Sequence, residues 1–273
     1  LFRRSPAAAS TRHEAILLRQ LPLAGKVGLV IGVANDSSIA WGCAKAFRDQ
    51  GAELAITYLN AKAEPHVRPL ANELDAGLIL PLDVTDERTV DDVFAGIEAR
   101  WGRLDFILHS IAYCPKEDLH APVVDASRDG FLTAMDISCH SFLRMIRRAV
   151  PLMRSGGTCM TVTFFGAERV VEHYNIMGPV KAALEASVRY AAVQLGPKGI
   201  TVHALSPGPL KTRAASGIER FDALLEEIAA RTPQHRLATI EDVGAFAAFL
   251  AGNAARNITG GVHYIDAGYN VVG

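Results

Sequence analysis

Val27-Gly28-Leu29-Val30-Ile31-Gly32-Val33-Ala34-Asn35-Asp36-Ser37-Ser38-Ile39-Ala40-Trp41-Gly42 is the stretch whose reading decides the fold. Val27–Ile31 is apolar without polar alternation, as in a strand covered by helices on both faces. Gly32 then permits a tight turn, and the amphipathic stretch Ile39–Gln50 follows. Ser37 or Ser38 is placed to cap that helix or to offer a hydroxyl to a phosphate. A strand, a glycine turn and a helix start in this order bring backbone N–H groups and the positive helix end to one point, which suits a pyrophosphate. The spacing is not G-x-G-x-x-G, since the middle glycine is absent and a serine stands near its place. The turn by itself fits a plainly capped helix equally well.

Runs of the same kind recur at Leu54–Tyr58, Leu78–Leu82, Phe106–Ser110, Cys159–Phe164, Ile200–Leu205 and Val262–Ile265. Amphipathic stretches lie between them at Asp86–Trp101, Ser141–Met153, Tyr174–Leu195 and Glu241–Leu250. Thr239-Ile240-Glu241-Asp242 is a capping box, and Asp86-Glu87 puts negative charge at a first helical turn. No linker, repeat or low-complexity segment breaks the rhythm. The pattern predicts an α/β fold: one Rossmann-type doubly wound parallel sheet of about seven strands with helices on both faces. It is expected to form a single domain over residues 23–273, with residues 1–22 as an extension outside the fold. Ligands of such sheets sit at the carboxyl ends of the strands, near the switch point.

Composition narrows the partners. A formal net charge of −1, with basic residues spread along the chain, gives no steering toward nucleic acid or an acidic membrane. No apolar run reaches the roughly 18 residues of a membrane helix. Cys43, Cys114, Cys139 and Cys159 are isolated, without C-x-x-C or His at metal-ligand spacing, which suits a reducing cytoplasm and predicts no metal. The first 20 residues are rich in Arg, Ala and Ser, and fit an upstream extension or an organellar presequence.

The ends of other strands carry the remaining candidates. Asp83, beside Val84, is placed to accept from an adenine amino group. Ser110-Ile111-Ala112 follows the fourth strand with small residues that let a flat cofactor approach. Ser206-Pro207-Gly208-Pro209-Leu210-Lys211-Thr212 follows the sixth as a stiff segment able to hold a carboxamide, with Thr212 in reach of phosphate. After the fifth strand comes Tyr174-Asn175-Ile176-Met177-Gly178-Pro179-Val180-Lys181. Seven positions return to nearly the same face of a helix, so Tyr174 and Lys181 are expected to share a cleft, the ammonium lowering the phenol's pKa.

These residues resemble the enoyl-acyl-carrier-protein reductases of the divergent short-chain dehydrogenase/reductase family. Ordinary members carry Y-x-x-x-K, but Gly178 stands at that lysine position, and the wider Y-x6-K spacing of Tyr174 and Lys181 marks the enoyl reductase branch. Gly51-Ala-Glu-Leu-Ala, Asp83-Val84, His109-Ser-Ile-Ala, Asp136-Ile-Ser, Gly166-Ala-Glu-Arg, Gly208-Pro-Leu-Lys-Thr212 and Ala215-Ser-Gly-Ile match as well. The resemblance implies hydride transfer from NADH or NADPH to the β-carbon of a trans-2-enoyl thioester carried on acyl carrier protein, in fatty-acid synthesis by a homotetramer. It implies Tyr174 on the thioester carbonyl and Lys181 on the nicotinamide ribose. It places Gly32, Ser38 and Ile39 at the pyrophosphate turn, Asp83 and Val84 at the adenine, Ser110, Ile111 and Ala112 at the middle of the cofactor, and Leu210 and Thr212 at its nicotinamide end. It also implies a substrate lid near residues 212–231, with Phe164, Met177 and Phe221 lining the acyl site; Cys114, just beyond the fourth strand, is placed either to approach the substrate or to serve as a small buried hydrophobe.

Phe164 departs from the second tyrosine of many members, although a mycobacterial branch also has Phe there. Leu59 offers neither the acid that selects NAD nor an Arg-Lys pair for a 2′-phosphate, and NADH is favoured. Pro179 would kink a helix already running through it. A carbonyl reductase and a dinucleotide sensor without turnover share the fold and stay open as alternatives.

Overall fold

The computed structural model describes residues 21–210 and 221–272. Seven strands form one fully parallel sheet in the order β3-β2-β1-β4-β5-β6-β7. They are β1 (Val27–Ile31), β2 (Glu53–Tyr58), β3 (Leu78–Pro81), β4 (Phe106–His109), β5 (Gly157–Val162), β6 (Ile200–Pro207) and β7 (Val262–Ile265). The helices are α1 (Ile39–Asp49), α2 (Glu64–Glu73), α3 (Glu87–Trp101), α4 (Lys116–His120), α5 (Arg128–Met135), α6 (Ser141–Ala149), α7 (Met177–Leu195), α8 (Phe221–Arg231), α9 (Ile240–Ala251) and α10 (Tyr269–Val272). The order reverses between β1 and β4, which puts the switch point beside Gly32 and Ser110.

Each apolar run divides its side chains between two cores, because successive residues of a strand point to opposite faces. Val27, Leu29 and Ile31 pack with Val93 and Ile97 of α3, Phe142 of α6 and Leu184 of α7. Val30, Ile56 and Leu108 pack on the other face with Phe47 of α1, Val67 of α2 and Val243 of α9. The crossing of α1 on α9 is close enough to need glycine on both sides. A Cβ at Gly42 would lie 2.6 Å from the Ile240 carbonyl carbon, and one at Gly244 would lie 2.7 Å from that of Gly42.

The capping box at Thr239 forms as expected, its hydroxyl accepting from Asp242 N–H at 3.2 Å. Asp86 caps α3 through Arg88 N–H. Three departures have local causes. Helix α2 carries Pro65 and Pro69, which hide its period from a sequence reading. The stretch expected to begin at Ser141 is the end of a longer run, α5 passing through a π turn at Asp136–His140 into α6. Leu21 and Pro22, expected outside the fold, enter it: the Leu21 carbonyl accepts from Ala24 N–H at 3.0 Å in the turn leading to β1.

Candidate active site

Beyond β5 the chain passes through Thr163 and Phe164 and a short 3-10 turn before reaching Tyr174. Tyr174 does not lie on the helix with Lys181, as the spacing suggested. His173 and Asn175 on either side of it have φ of 63° and 44°, and no helix runs through left-handed residues. The helix starts only at Met177. Asn175 ties this turn to α4 by donating from Nδ2 to the Leu119 carbonyl at 2.8 Å. A folded turn and the first turns of α7, not a helical period, carry Tyr174 and Lys181 to the residues just past β5. Pro179 consequently stands third in the helix, where its missing N–H has no intrahelical partner to lose, and no kink results.

The Tyr174 ring meets Phe164 edge-on, centroids 4.9 Å apart, in the geometry aromatic quadrupoles prefer. Gly166 makes room for it, since a Cβ there would stand 2.9 Å from Tyr174 Cε1 and nearer still to Cδ1. Burial, with the negative charge of Glu185, pushes the phenol well above its ordinary range. That overturns the expected lowering: desolvation of the phenolate outweighs any help from the ammonium. Lys181 is 4% exposed, and Nζ donates to the Val162 carbonyl at 2.7 Å. Burial pulls its pKa down to about 8, opposed by Cys139 and Glu185. One bond leaves two of its three ammonium protons without an acceptor among the described residues.

His109, at the end of β4, is fully buried between Thr161 Oγ1 at 3.1 Å and Ser141 Oγ at 2.8 Å. The Ser141 hydroxyl donates to the Ile137 carbonyl, so it accepts from His109 Nε2–H. Burial and the Lys181 charge hold the imidazole neutral, its pKa near 3.

At the switch point, Gly32 has φ 105°, and a Cβ there would strike the Ser110 carbonyl oxygen and sit 3.3 Å from Ser110 Cα. The turn after β1 and the loop after β4 therefore touch through a residue that only glycine can supply. Ser38 is the N-cap of α1, but its side chain caps nothing: Oγ donates to the Asn35 carbonyl at 2.6 Å. Ser37 donates instead to Asp36 Oδ1. The first turn of α1, opening at Ile39, holds no acid, so its leading N–H groups and positive end stay uncompensated.

Asp83 Oδ1 accepts from Thr85 N–H at 2.9 Å and Thr85 Oγ1 at 2.7 Å, leaving Oδ2 without a donor among the described residues. The Val84 carbonyl accepts from Arg144 Nη2 at 2.6 Å, and the same guanidinium bonds Asp136. Ser138 in the π turn both donates to and accepts from the backbone of Tyr113, fixing the loop that carries Ser110, Ile111 and Ala112. Ser138 stood in the sequence only as the end of the Asp136-Ile-Ser motif, without a role, and Arg144 carried no signal at all, because an Arg within a helical stretch is not distinguishing.

Ile111 and Cys114 are half-buried against the core that also receives Tyr174, and Met177 is buried in that core. Burial and Asp118 raise the Cys114 thiol. Leu210 is buried in the opposite core, past the end of β6. Leu59, after β2, is exposed next to Asn60, whose carboxamide oxygen takes the N–H groups of Lys62 and Ala63. Thr212 and the first part of the expected lid, residues 212–220, lie outside the described residues, as does the Phe221 side chain; α8 forms the rest of the lid and is helical along its backbone.

An uncompensated helix start at the switch point and a buried ammonium with spare donors fit a dinucleotide, whose pyrophosphate is anionic and whose ribose offers hydroxyls. Sheet order, switch-point turn and the Tyr–Lys pair past β5 define a Rossmann-type nicotinamide-dinucleotide oxidoreductase. The family model described as "Enoyl-(Acyl carrier protein) reductase" matches residues 32–270. "Enoyl-[acyl-carrier-protein] reductase [NADH] 1" of Rhizobium meliloti (strain 1021) is 48% identical over 249 residues, 91% of this chain and 92% of that protein. The enoyl-(acyl-carrier-protein) reductase of Anaplasma phagocytophilum, solved in complex with NAD, superposes with a TM-score of 0.89 at 47% identity, covering 93% of this chain and 97% of that one. The Bacillus cereus enoyl-acyl carrier protein reductase, solved with NADP+ and indole naphthyridinone, gives 0.90 at 43%, covering 92% and 99%. The chain belongs to the enoyl-acyl-carrier-protein reductase family.

Proposed function

We propose that this chain reduces trans-2-enoyl thioesters of acyl carrier protein to saturated acyl thioesters, using NADH, as a step of fatty-acid synthesis. The observation that carries the reading is Tyr174 held against Phe164 past β5, with the Lys181 ammonium anchored on the strand's last carbonyl. When bound, the reduced nicotinamide supplies the hydride taken up by the substrate's β-carbon. Tyr174, kept protonated by its burial, donates a hydrogen bond to the thioester carbonyl oxygen as enolate charge develops there. The α-carbon then takes a proton from solvent. Lys181 binds the nicotinamide ribose hydroxyls and adds positive potential beside that oxygen.

Gly32, Ser38 and Ile39 hold the pyrophosphate through the backbone at the start of α1, since the Ser38 hydroxyl is engaged with Asn35. Asp83 Oδ2 takes the adenine amino group beside Val84, and Ser110, Ile111 and Ala112 line the middle of the cofactor. Leu210 and Thr212 hold the nicotinamide end. Cys114, Phe164, Met177 and Phe221 line the acyl site under a lid near residues 212–231. The protein works in the cytoplasm as a homotetramer of single-domain chains, with exposed Tyr190 and Val193 of α7 as apolar surface for assembly. Among the described residues no helix is long and apolar enough to cross a membrane.

The test offers crotonyl and longer enoyl thioesters with NADH or NADPH, alongside β-ketoacyl thioesters. Cofactor oxidation with enoyl substrates, faster with NADH, is the expected result. Oxidation with ketoacyl substrates alone would overturn the reading, and Tyr174→Phe at full rate would remove that residue from it. Light scattering at the mass of one chain would remove the tetramer.

A further inference from the structure

One buried ionisable group has no part in the chemistry above. Glu185 is 5% exposed, one helical turn beyond Lys181 on α7, and Thr163, itself 2% exposed, donates from Oγ1 to Glu185 Oε1 at 2.7 Å. A carboxylate is rarely placed so deep without a task, because burial strips it of water and one hydrogen bond only partly replaces that hydration. Its partner adjoins the partner of Lys181. Val162 accepts from the Lys181 ammonium at 2.7 Å and the next residue, Thr163, donates to Glu185. Two consecutive residues at the end of β5 thus grip two residues four apart on α7, through bonds of opposite polarity. Such a two-point attachment sets both the rotation of the helix and its height along the strand, and an i, i+4 pair keeps the opposite charges on one face.

We propose that Glu185 is a positioning residue for Lys181: with Thr163 it locks α7 in register on the end of β5, and its charge offsets the buried ammonium. The inference rests on Lys181 serving the nicotinamide ribose. Other charged and titratable groups face the same volume. Arg189 lies one turn further along α7, Glu168 in the turn after β5, Tyr174 ahead of the helix and Tyr264 on β7. Lys181 is also faced by Cys139 of the π turn and His109 of β4. Glu185 raises the Lys181 pKa, whereas His109 is held neutral and brings no charge of its own. Among these groups Glu185 combines a negative charge with a fixed hydrogen bond to the strand that anchors the lysine.

The test measures the NADH dissociation constant by fluorescence from pH 6 to pH 10, together with kcat/KM for NADH, which reports the free enzyme. Glu185→Gln keeps an oxygen for Thr163 and loses only the charge. In the wild type, affinity declines as pH rises through the Lys181 pKa of about 8. In Glu185→Gln that decline should begin roughly one pH unit lower, since an opposite charge one helical turn away, with Cβ atoms about 5–6 Å apart, shifts a pKa by about one unit. Thr163→Val keeps the charge but frees the carboxylate, whose pKa then rises, so affinity should weaken at the acid end instead. Thr163→Val keeps the proposal testable if Glu185→Gln does not fold. Affinity and kcat/KM profiles of the variants superimposing on the wild type would overturn the proposal. So would a loss that is equal at every pH, which marks a structural role alone. Lys181→Ala with undiminished NADH affinity would instead refute the assignment of Lys181, a failure distinct from that of Glu185.

Discussion

Gly166→Ala should cripple the reductase while leaving its cofactor site intact, and the size of the effect follows from the geometry. The added methyl would stand 2.9 Å from Tyr174 Cε1 and closer to Cδ1, against an ordinary contact of 3.4–4 Å. The ring is not a loose end that can swing aside, since Phe164 packs on one side and the core on another. Gly166 has no positive φ, so alanine adds no backbone strain; the perturbation falls first on Tyr174, with Phe164 Cδ1 the next contact at 3.3 Å. Relief requires the ring to move by between half an ångström and about 1 Å, and misplacing a catalytic group by that distance costs on the order of 100-fold in rate. Overpacking of this kind costs about 1–3 kcal/mol of stability, which a folded enzyme tolerates. The assay follows NADH oxidation at 340 nm with a short enoyl thioester. The kcat is expected to fall roughly 100-fold, with the NADH dissociation constant within about twofold of wild type, because Lys181 and the start of α1 are untouched. Tyr174→Phe and Gly166→Ala combined should be no worse than Tyr174→Phe alone if the glycine acts through the hydroxyl. A Gly166→Ala enzyme at wild-type kcat would refute the reasoning.

Further consequences follow from buried groups and close crossings. Lys181→Met should abolish NADH binding, and it removes a buried ammonium whose pKa burial lowers to about 8. The wild type should gain stability between pH 8 and 10.5, where the unfolded lysine still binds a proton that the folded one has lost; Lys181→Met should be flat there. His109, with a folded pKa near 3 against 6.5 when unfolded, contributes stability that is complete above pH 6.5 and lost as pH falls toward 3. Urea midpoints against pH should show this acid sensitivity reduced in His109→Gln. Gly42→Ala and Gly244→Ala should each destabilise by about 2–3 kcal/mol in urea unfolding, the clash of α1 with α9 outweighing the better helix propensity of alanine.

Much of the fold was legible because its signals are local. The apolar runs at Val27–Ile31 and Val262–Ile265 match β1 and β7 residue for residue, and the Thr239 capping box sits where its pattern placed it. Helix α2 was not legible, since Pro65 and Pro69 interrupt the apolar period; packing of Val67 and Ala71 against the sheet, with the Glu64–Arg68 ion pair, supports it instead. The π turn at Asp136–His140 was equally silent, because one extra residue in a helical turn leaves no compositional mark.

At the site, the sequence by itself determined which residues would be present: the turn from Gly32, the strand-end residues Asp83 and Ser110, and the Tyr174–Lys181 spacing. It also put the parallel sheet in place to gather them, because strand and helix patterns depend on residues near one another in the chain. Only the tertiary structure decided how they act. Two left-handed residues put Tyr174 on a turn instead of a helix, and burial raised its phenol where a neighbouring ammonium had promised to lower it. The Ser38 hydroxyl turned back to Asn35, and Glu185 came to rest beside Thr163. Desolvation and side-chain partnership depend on which distant segments close over a group, and no local pattern encodes that.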